Sequence, residues 1–178
     1  MADFATSTEL ENWLELDSTI NSAKASLALS VASGDIRDYC GWSISEETAT
    51  LILDGTGSRW LWLPTLRLTA VASVTVNGDE LTVGSQYDWT SYGKLIHRGC
   101  WPNQPRSVEV EFTHGYTEVP AAVKGVCLTL ASVYYNNPEA VKSRSEAWGP
   151  FNQAVAYGDG SGAGLSASLG RYRLEHVG

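Results

Sequence analysis

The stretch that decides the fold of this chain runs from Thr50 to Gly115, and its centre reads VASVTVNGDELTV over residues 71–83. Apolar and polar residues alternate on both sides of Asn77-Gly78, as in two half-buried strands. Asn-Gly is the strongest short hairpin signal, because both residues accept the positive φ of a type I′ turn. We therefore predict a β-hairpin that turns at Asn77 and Gly78.

The rest of this stretch contains further short strands separated by turns. The segment Val108–Phe112 alternates strictly, which directs its valines and Phe112 inward and Glu109 and Glu111 outward. Other predicted strands cover residues 49–53, 60–64, 87–90 and 94–97. This period of two predicts a small antiparallel sheet or open barrel.

Helical patterns flank the β-rich stretch on both sides. We predict helices over about residues 8–14, 19–39 and 120–135. Ser7 or Thr8 is expected to cap the first helix, and Glu11 follows Thr8 at the spacing of a capping box. Asp17 or Ser18 is expected to cap the second helix. The apolar residues that share one face of the second helix are Ile20, Ala23, Leu27 and Val31. The sequence therefore predicts an α+β fold, a helical bundle with an inserted small antiparallel β-module.

The C-terminal part has a different composition. A short helix is predicted from Pro138 to about Ala147, and a flexible C-terminal arm follows, with a glycine-rich run over residues 158–164. We divide the chain into the N-terminal helices of the bundle (1–48), the inserted antiparallel β-module (49–118), the returning bundle helices (119–147) and the flexible C-terminal arm (148–178).

The charge of the chain is unevenly distributed. The formal net charge is −8, and residues 1–48 carry nine acidic and two basic residues. No basic patch large enough to hold a nucleic-acid backbone is visible.

Seven Trp and eight Tyr in a chain with 18% charged residues indicate either a partner surface or an aromatic core. Neither a signal sequence nor a long apolar run is present, so secretion and membrane spanning are not expected.

Few residues offer catalytic or metal-binding chemistry. His97 and Cys100 form an H-x-x-C pair, and His114 is the nearest further ligand, but a turn His beside a packed Cys is the favoured interpretation. Glu109 and Glu111 lie about 7 Å apart on one strand face, as a glycosidase pair could, although a solvated face is favoured. The glycine run lacks the ending of a phosphate loop. We therefore predict no catalytic residues, no metal, no cofactor and no enzymatic activity.

Several segments, in their order and spacing, point to a family. They are IRDYCGW at 36–42, LWLP at 61–64, VASVTVNG at 71–78, YDWT at 87–90, GKLI at 93–96, VEVEF at 108–112, HGY at 114–116 and Val119-Pro120. In these segments the chain resembles the head-to-tail connector proteins of long-tailed bacteriophages, also called adaptor or head-completion proteins. The resemblance covers about residues 8–140.

This resemblance implies a structural virion protein whose copies form a ring, usually a dodecamer. The ring would dock on the portal protein and link the DNA-filled capsid to the stopper or tail-completion protein. DNA would pass through the lumen without sequence-specific binding, and no membrane would be involved. The protein would assemble in the host cytoplasm and act at the head–tail interface. An acidic N-terminal part would suit such a lumen, because it repels phosphates.

The resemblance also implies that the C-terminal arm reaches onto the portal. We expect the arm to be mobile in the free subunit and to order on docking, with many copies adding up to a strong attachment. Its candidate contact residues are Trp148, Phe151, Tyr157, Leu165, Leu169, Arg171, Tyr172 and Arg173.

A second hypothesis is a non-enzymatic β-module that binds carbohydrate or attaches a tail fibre. It would use Trp60, Trp62 or Trp89 as exposed aromatic residues. Self-assembly separates the two hypotheses, because an isolated carbohydrate-binding module would not form a large ring on a portal.

Overall fold

A computed structural model describes residues 3–14, 21–136, 143–148, 151–156 and 168–174. The chain divides into two compact units. The helical unit comprises residues 1–40 and 119–171, and the β-unit comprises residues 41–118 and 172–178. The predicted α+β class is confirmed, with antiparallel strands and helices both present.

The secondary-structure elements follow one another as helices, strands, a helix and a last hairpin. In chain order they are α1 (Ser7–Leu14), α2 (Ser22–Cys40), β1 (Glu47–Leu53), β2 (Trp60–Trp62), β3 (Leu68–Val76), β4 (Asp79–Glu80), β5 (Tyr87–Trp89), β6 (Lys94–His97), β7 (Val108–His114), α3 (Ala121–Asn136), β8 (Ser143–Trp148), β9 (Phe151–Ala156) and a 3-10 turn (Gly170–Tyr172).

The core of the helical unit lies where α2 packs on α3. The buried residues of α2 are Ala25, Ala28, Leu29, Ala32, Ser33, Ile36 and Cys40, and those of α3 are Val123, Cys127, Leu128, Leu130 and Ala131. The Ser33 hydroxyl accepts the N–H of Phe4 at 3.1 Å and lies 3.5 Å from the Cys127 Sγ. A buried hydroxyl requires partners, so Ser33 ties the N-terminal segment to both helices.

The helix starts differ from the predicted ones. A reciprocal capping box joins Thr6 and Glu9, since the Glu9 N–H reaches the Thr6 Oγ1 at 3.2 Å and the Thr6 N–H reaches the Glu9 carboxylate at 2.8 Å. The predicted pair Thr8–Glu11 is therefore wrong by two positions. Asn21 caps α2 by accepting the N–H of Lys24 at 3.0 Å. The predicted caps Asp17 and Ser18 lie outside the described residues.

The apolar face predicted for the second helix points outward. Ala23, Leu27 and Val31 are exposed, and Ile20 lies outside the described residues. The buried face is a second stripe of mainly small residues (Ala25, Ala28, Ala32, Ser33 and Cys40), whose short side chains allow the partner helix a close approach. Periodicity alone does not reveal which of two apolar stripes on one helix is covered.

The β-unit contains two antiparallel sheets. The four-stranded sheet has the order β1-β7-β3-β4, and the three-stranded sheet has the order β2-β6-β5. Strand β7 is the centre of the larger sheet, with Glu109 opposite Ile52 of β1 and opposite Thr75 of β3. In the smaller sheet, Trp62 of the edge strand β2 lies opposite Lys94 of β6.

Both sheets contribute their inward residues to a single hydrophobic core. The buried members are Leu61, Leu63, Leu68, Val74, Tyr87, Leu95, Trp101, Val108, Val110 and Phe112. Because one core takes residues from both sheets, the sheets pack face to face as a small sandwich. Their outward faces consequently lie on opposite sides of the β-unit.

The turn between β3 and β4 is the predicted hairpin position. Val76 pairs with Asp79, so Asn77 and Gly78 occupy the two central positions of the turn. Both have positive φ, 52° for Asn77 and 95° for Gly78. These values fit the φ requirement of a type I′ turn.

The C-terminal part differs most from the prediction. The helix predicted from Pro138 to about Ala147 is wrong over residues 143–147, because residues 143–148 form β8, which pairs with β9, and residues 138–142 lie outside the described residues. The arm residues Leu169 and Tyr172 are buried, at 0% and 6% exposure, so their side chains pack on the chain itself. The glycine-rich run over residues 158–164 lies outside the described residues.

Candidate interaction surfaces

The H-x-x-C pair is part of a turn. The Nδ1 of His97 accepts the N–H of Gly99 at 2.9 Å, and its ring lies 5.0 Å from that of Trp101. Cys100 is exposed. In the described part of the chain, no group of three or more His, Cys, Asp or Glu residues could hold a metal ion. The His97 imidazole therefore stabilises the local turn through this hydrogen bond.

His114 lies apart, on the buried side of β7. Its ring centre is 5.0 Å from that of Phe112 and 6.2 Å from that of Trp42. Burial lowers the pKa of His114, and Glu47, whose Oε1 is 3.6 Å from Nε2, opposes this effect only partly. A neutral imidazole packed among aromatic rings is a core residue, and sequence alone could not distinguish it from a ligand.

Two exposed tryptophans and a half-buried lysine form a surface on the three-stranded sheet. Trp60 and Trp62 project to the same side of β2 and are 54% and 48% exposed. The Nζ of Lys94 lies 4.2 Å from the ring centre of Trp60 and 5.2 Å from that of Trp62. We call these three residues the tryptophan surface. Large exposed aromatic groups of this kind are typical of contact sites.

The third tryptophan of the carbohydrate hypothesis is not part of this surface. Trp89 is partly buried and packs against the core of the β-unit, on the inward side of β5. The alternation of strands places Trp89 opposite Leu95, whereas Trp62 lies opposite Lys94. The prediction of an exposed tryptophan thus applies to Trp60 and Trp62 and fails for Trp89.

The outward side of the larger sheet carries acidic and small polar residues. Glu109 and Glu111 are exposed on the central strand β7, as their alternation with valines predicts. Their neighbours across the sheet are Thr50, Ile52, Ser73 and Thr75. We call this set of six residues the glutamate face. It is the outer face of a sheet, and this position favours the solvated-face interpretation over a glycosidase pair.

A third surface lies on α2. Leu27 is 66% exposed and Val31 is 45% exposed, one helical turn apart on the same side as Ala23. We call these three residues the α2 outer face. An apolar stripe left open on a helix is unusual for a monomer. The sequence showed the stripe but gave no sign that it faces solvent.

The predicted arm residues have different environments. Trp148 and Phe151 pair across the β8–β9 hairpin, and Arg171 and Arg173 are exposed. The ring of Tyr172 meets that of Tyr116 edge-on at 6.1 Å. Tyr157 and Leu165 lie outside the described residues, and Leu169 is buried.

The described helices differ in length or apolar character from a helix that crosses a membrane. Within the described ranges, none of them has the length and apolar character that such a crossing requires.

Comparisons with known proteins point to one family. The family model described as head completion protein matches residues 3–149. No curated protein matches the sequence.

Two solved structures share the fold. A chain from the neck of a native GTA particle computed with C12 symmetry superposes with a TM-score of 0.64 at 18% identity, and the match covers 96% of this chain and 88% of that one. A chain from the neck of an empty GTA particle computed with C6 symmetry gives a TM-score of 0.61 at 20% identity, with 97% and 91% coverage.

Proposed function

Because the chain belongs to the head completion protein family, we propose that its copies form a closed ring that docks on the portal and receives the stopper or tail-completion protein. The chain is a structural protein of the virion that connects head and tail at their interface. A ring of identical copies requires each subunit to bury surface against the next one.

The α2 outer face is the observation that carries the ring proposal. Leu27 and Val31 leave a large apolar area in water in the single subunit. Burying such area between copies contributes roughly 25 cal/mol per Å² before the costs of association. A neighbouring copy is the occupant that a ring supplies at this face. The C12 and C6 symmetries of the two similar neck structures support this choice.

We propose that the C-terminal part contacts the portal through fewer residues than the sequence pattern indicates. Leu169 and Tyr172 are buried in the chain, so the proposed contact rests on Trp148, Phe151, Tyr157 and Leu165, with Arg171 and Arg173 contributing charge. Exposed arginines suit an acidic or carbonyl-rich partner surface.

DNA passage without specific binding is a further part of the proposal. The net charge of −8 disfavours retention of a phosphate backbone.

We also propose that the protein carries no catalytic activity. Replacing His97 by Ala and Cys100 by Ser together should leave assembly into virions intact. Normal particles that have lost infectivity would contradict this proposal.

The carbohydrate alternative is weaker on structural grounds. A sugar ring stacks on an open indole face, but Lys94 already lies within 5.2 Å of both indole rings of the tryptophan surface. A positively charged aromatic surface is better matched to a protein partner.

Imaging of purified particles tests the proposed function. The chain alone and the chain mixed with portal rings should be compared by electron microscopy and by mass measurement. We expect closed rings of one size on the portal. A chain that remains monomeric at all concentrations and does not bind portal rings would contradict the proposal.

A further inference from the structure

The β-unit presents two different outward surfaces on opposite sides. One is the tryptophan surface of the three-stranded sheet, and the other is the glutamate face of the four-stranded sheet. A ring of identical copies is built from contacts in which one surface of each copy meets a different surface of the next. Because the two surfaces differ and lie on opposite sides of the β-unit, one can face the preceding copy while the other faces the following copy.

The tryptophan surface offers a half-buried cation beside exposed apolar area. Lys94 lies over the indoles of Trp60 and Trp62 and forms no ion pair with any of the residues that the structure describes. Its charge is therefore available to an anionic partner, while the two indoles provide the area that such a partner covers.

The glutamate face offers the complementary chemistry. Glu109 and Glu111 are exposed and form neither an ion pair nor a side-chain hydrogen bond within the described ranges. Ile52, which lies opposite Glu109, is 49% exposed and supplies apolar area between threonines. Short side chains keep this face flat, so a pair of indoles can approach it closely.

The spacings on the two surfaces agree. Trp60 and Trp62 are two residues apart on a strand, and so are Glu109 and Glu111, which gives each pair a separation of about 7 Å. Lys94 lies beside both indoles, and a lysine centred between two carboxylates at this separation can reach either of them.

We propose that, in the ring, the tryptophan surface of each copy docks on the glutamate face of the next copy. Lys94 pairs with Glu109 and Glu111, and the indoles of Trp60 and Trp62 cover Ile52 and Thr50. This inference rests on the proposed ring and identifies one of its contacts. Every copy uses both surfaces once, so the contact repeats until the ring closes.

Charge reversal tests the contact. Lys94→Glu and the double variant Glu109→Lys/Glu111→Lys each place like charges opposite one another. The concentration for half-maximal assembly should rise at least about tenfold in each. The matched control is Glu46→Lys/Glu118→Lys, which makes the same change in net charge as the double variant at exposed positions outside the strands of the glutamate face, directly before β1 and after β7. This control should assemble like the wild type.

Two rescue arms make the test specific. A chain with all three reversals should regain assembly, because the carboxylate introduced at position 94 then faces two introduced ammonium groups. An equimolar mixture of the Lys94→Glu chain and the Glu109→Lys/Glu111→Lys chain should also assemble, with the two variants alternating. Thermal melting first establishes that every variant is folded.

The outcomes separate this contact from the ring itself. Wild-type rings together with undisturbed assembly of both reversed variants would overturn the contact and leave the ring standing. Folded variants that neither combination rescues would also overturn the Lys94–glutamate pairing. A wild-type chain that forms no ring, alone or on the portal, would instead contradict the proposed function.

Discussion

The indole Nε1 of Trp42 donates a 2.6 Å hydrogen bond to the backbone carbonyl of Tyr172, which joins residues 130 positions apart in the chain. Both side chains are buried, and the ring of Tyr172 packs edge-on against Tyr116. Residues 172–174 thus belong to the β-unit, although the sequence pattern predicts a flexible arm there.

The first prediction concerns this C-terminal attachment. Tyr172→Ala should lower the free energy of unfolding by about 3 kcal/mol, because a buried aromatic ring is lost and a cavity remains. Thr117→Ala, an exposed neighbour of Tyr116, should change it by less than about 0.5 kcal/mol. Chemical denaturation of both variants measures the difference. Equal stabilities would mean that Tyr172 does not pack as described.

The second prediction uses two leucines of α2 that lie on different sides of the helix. Leu29 is 2% exposed and Leu27 is 66% exposed. Leu29→Ala should destabilise the monomer by about 2–5 kcal/mol, whereas Leu27→Ala should leave its unfolding nearly unchanged. Ring assembly should depend on Leu27 instead. Leu27→Asp should weaken assembly, because it introduces a charge into the proposed contact between copies. A Leu27→Asp chain that forms rings as well as the wild type would remove the α2 outer face from the proposal.

The third prediction compares two glycines with open space around the position of an added Cβ. Gly78 has a φ of 95°, which a β-branched residue tolerates poorly, and Gly34 lies within α2. Gly78→Val should therefore destabilise the protein by about 1 kcal/mol or more. Gly34→Ala should stabilise it by about 0.5–1 kcal/mol through helix propensity. Melting temperatures that move in the same direction would contradict the backbone argument.

The fourth prediction concerns pH. The pKa of buried His114 is lowered from its ordinary value of 6.5 in the folded chain. Below pH 6.5 the unfolded chain binds the proton more readily, so stability is lost as pH falls from there to the folded pKa. His114→Phe keeps an aromatic ring without a titrating group and should flatten this part of the stability curve.

A companion variant checks the cause of that pH dependence. Glu47 raises the pKa of His114 and so reduces the loss. Glu47→Gln should therefore enlarge the loss of stability between about pH 7 and pH 5. Denaturation midpoints at several pH values measure both variants. An unchanged slope in His114→Phe would show that another group governs this range.

Local chemistry predicted much of the β-unit. The strict alternation of residues 108–112 matches the burial of β7, and the positive φ values fall at Asn77 and Gly78. Such signals are reliable because the side-chain period of a strand and the φ range of a turn depend on neighbouring residues only. The order of segments was sufficient to identify the family.

The sequence by itself determined the α+β class, the positions of most strands and the family. Only the tertiary structure decided which apolar residues are covered. Leu27 and Leu29 have the same side chain on the same helix, and their exposure differs because α3 packs on one side of α2 and not on the other. Tyr172 became a core residue through Trp42 and Tyr116, which lie far from it in the chain. Burial depends on which distant segments meet, and no local pattern contains that information.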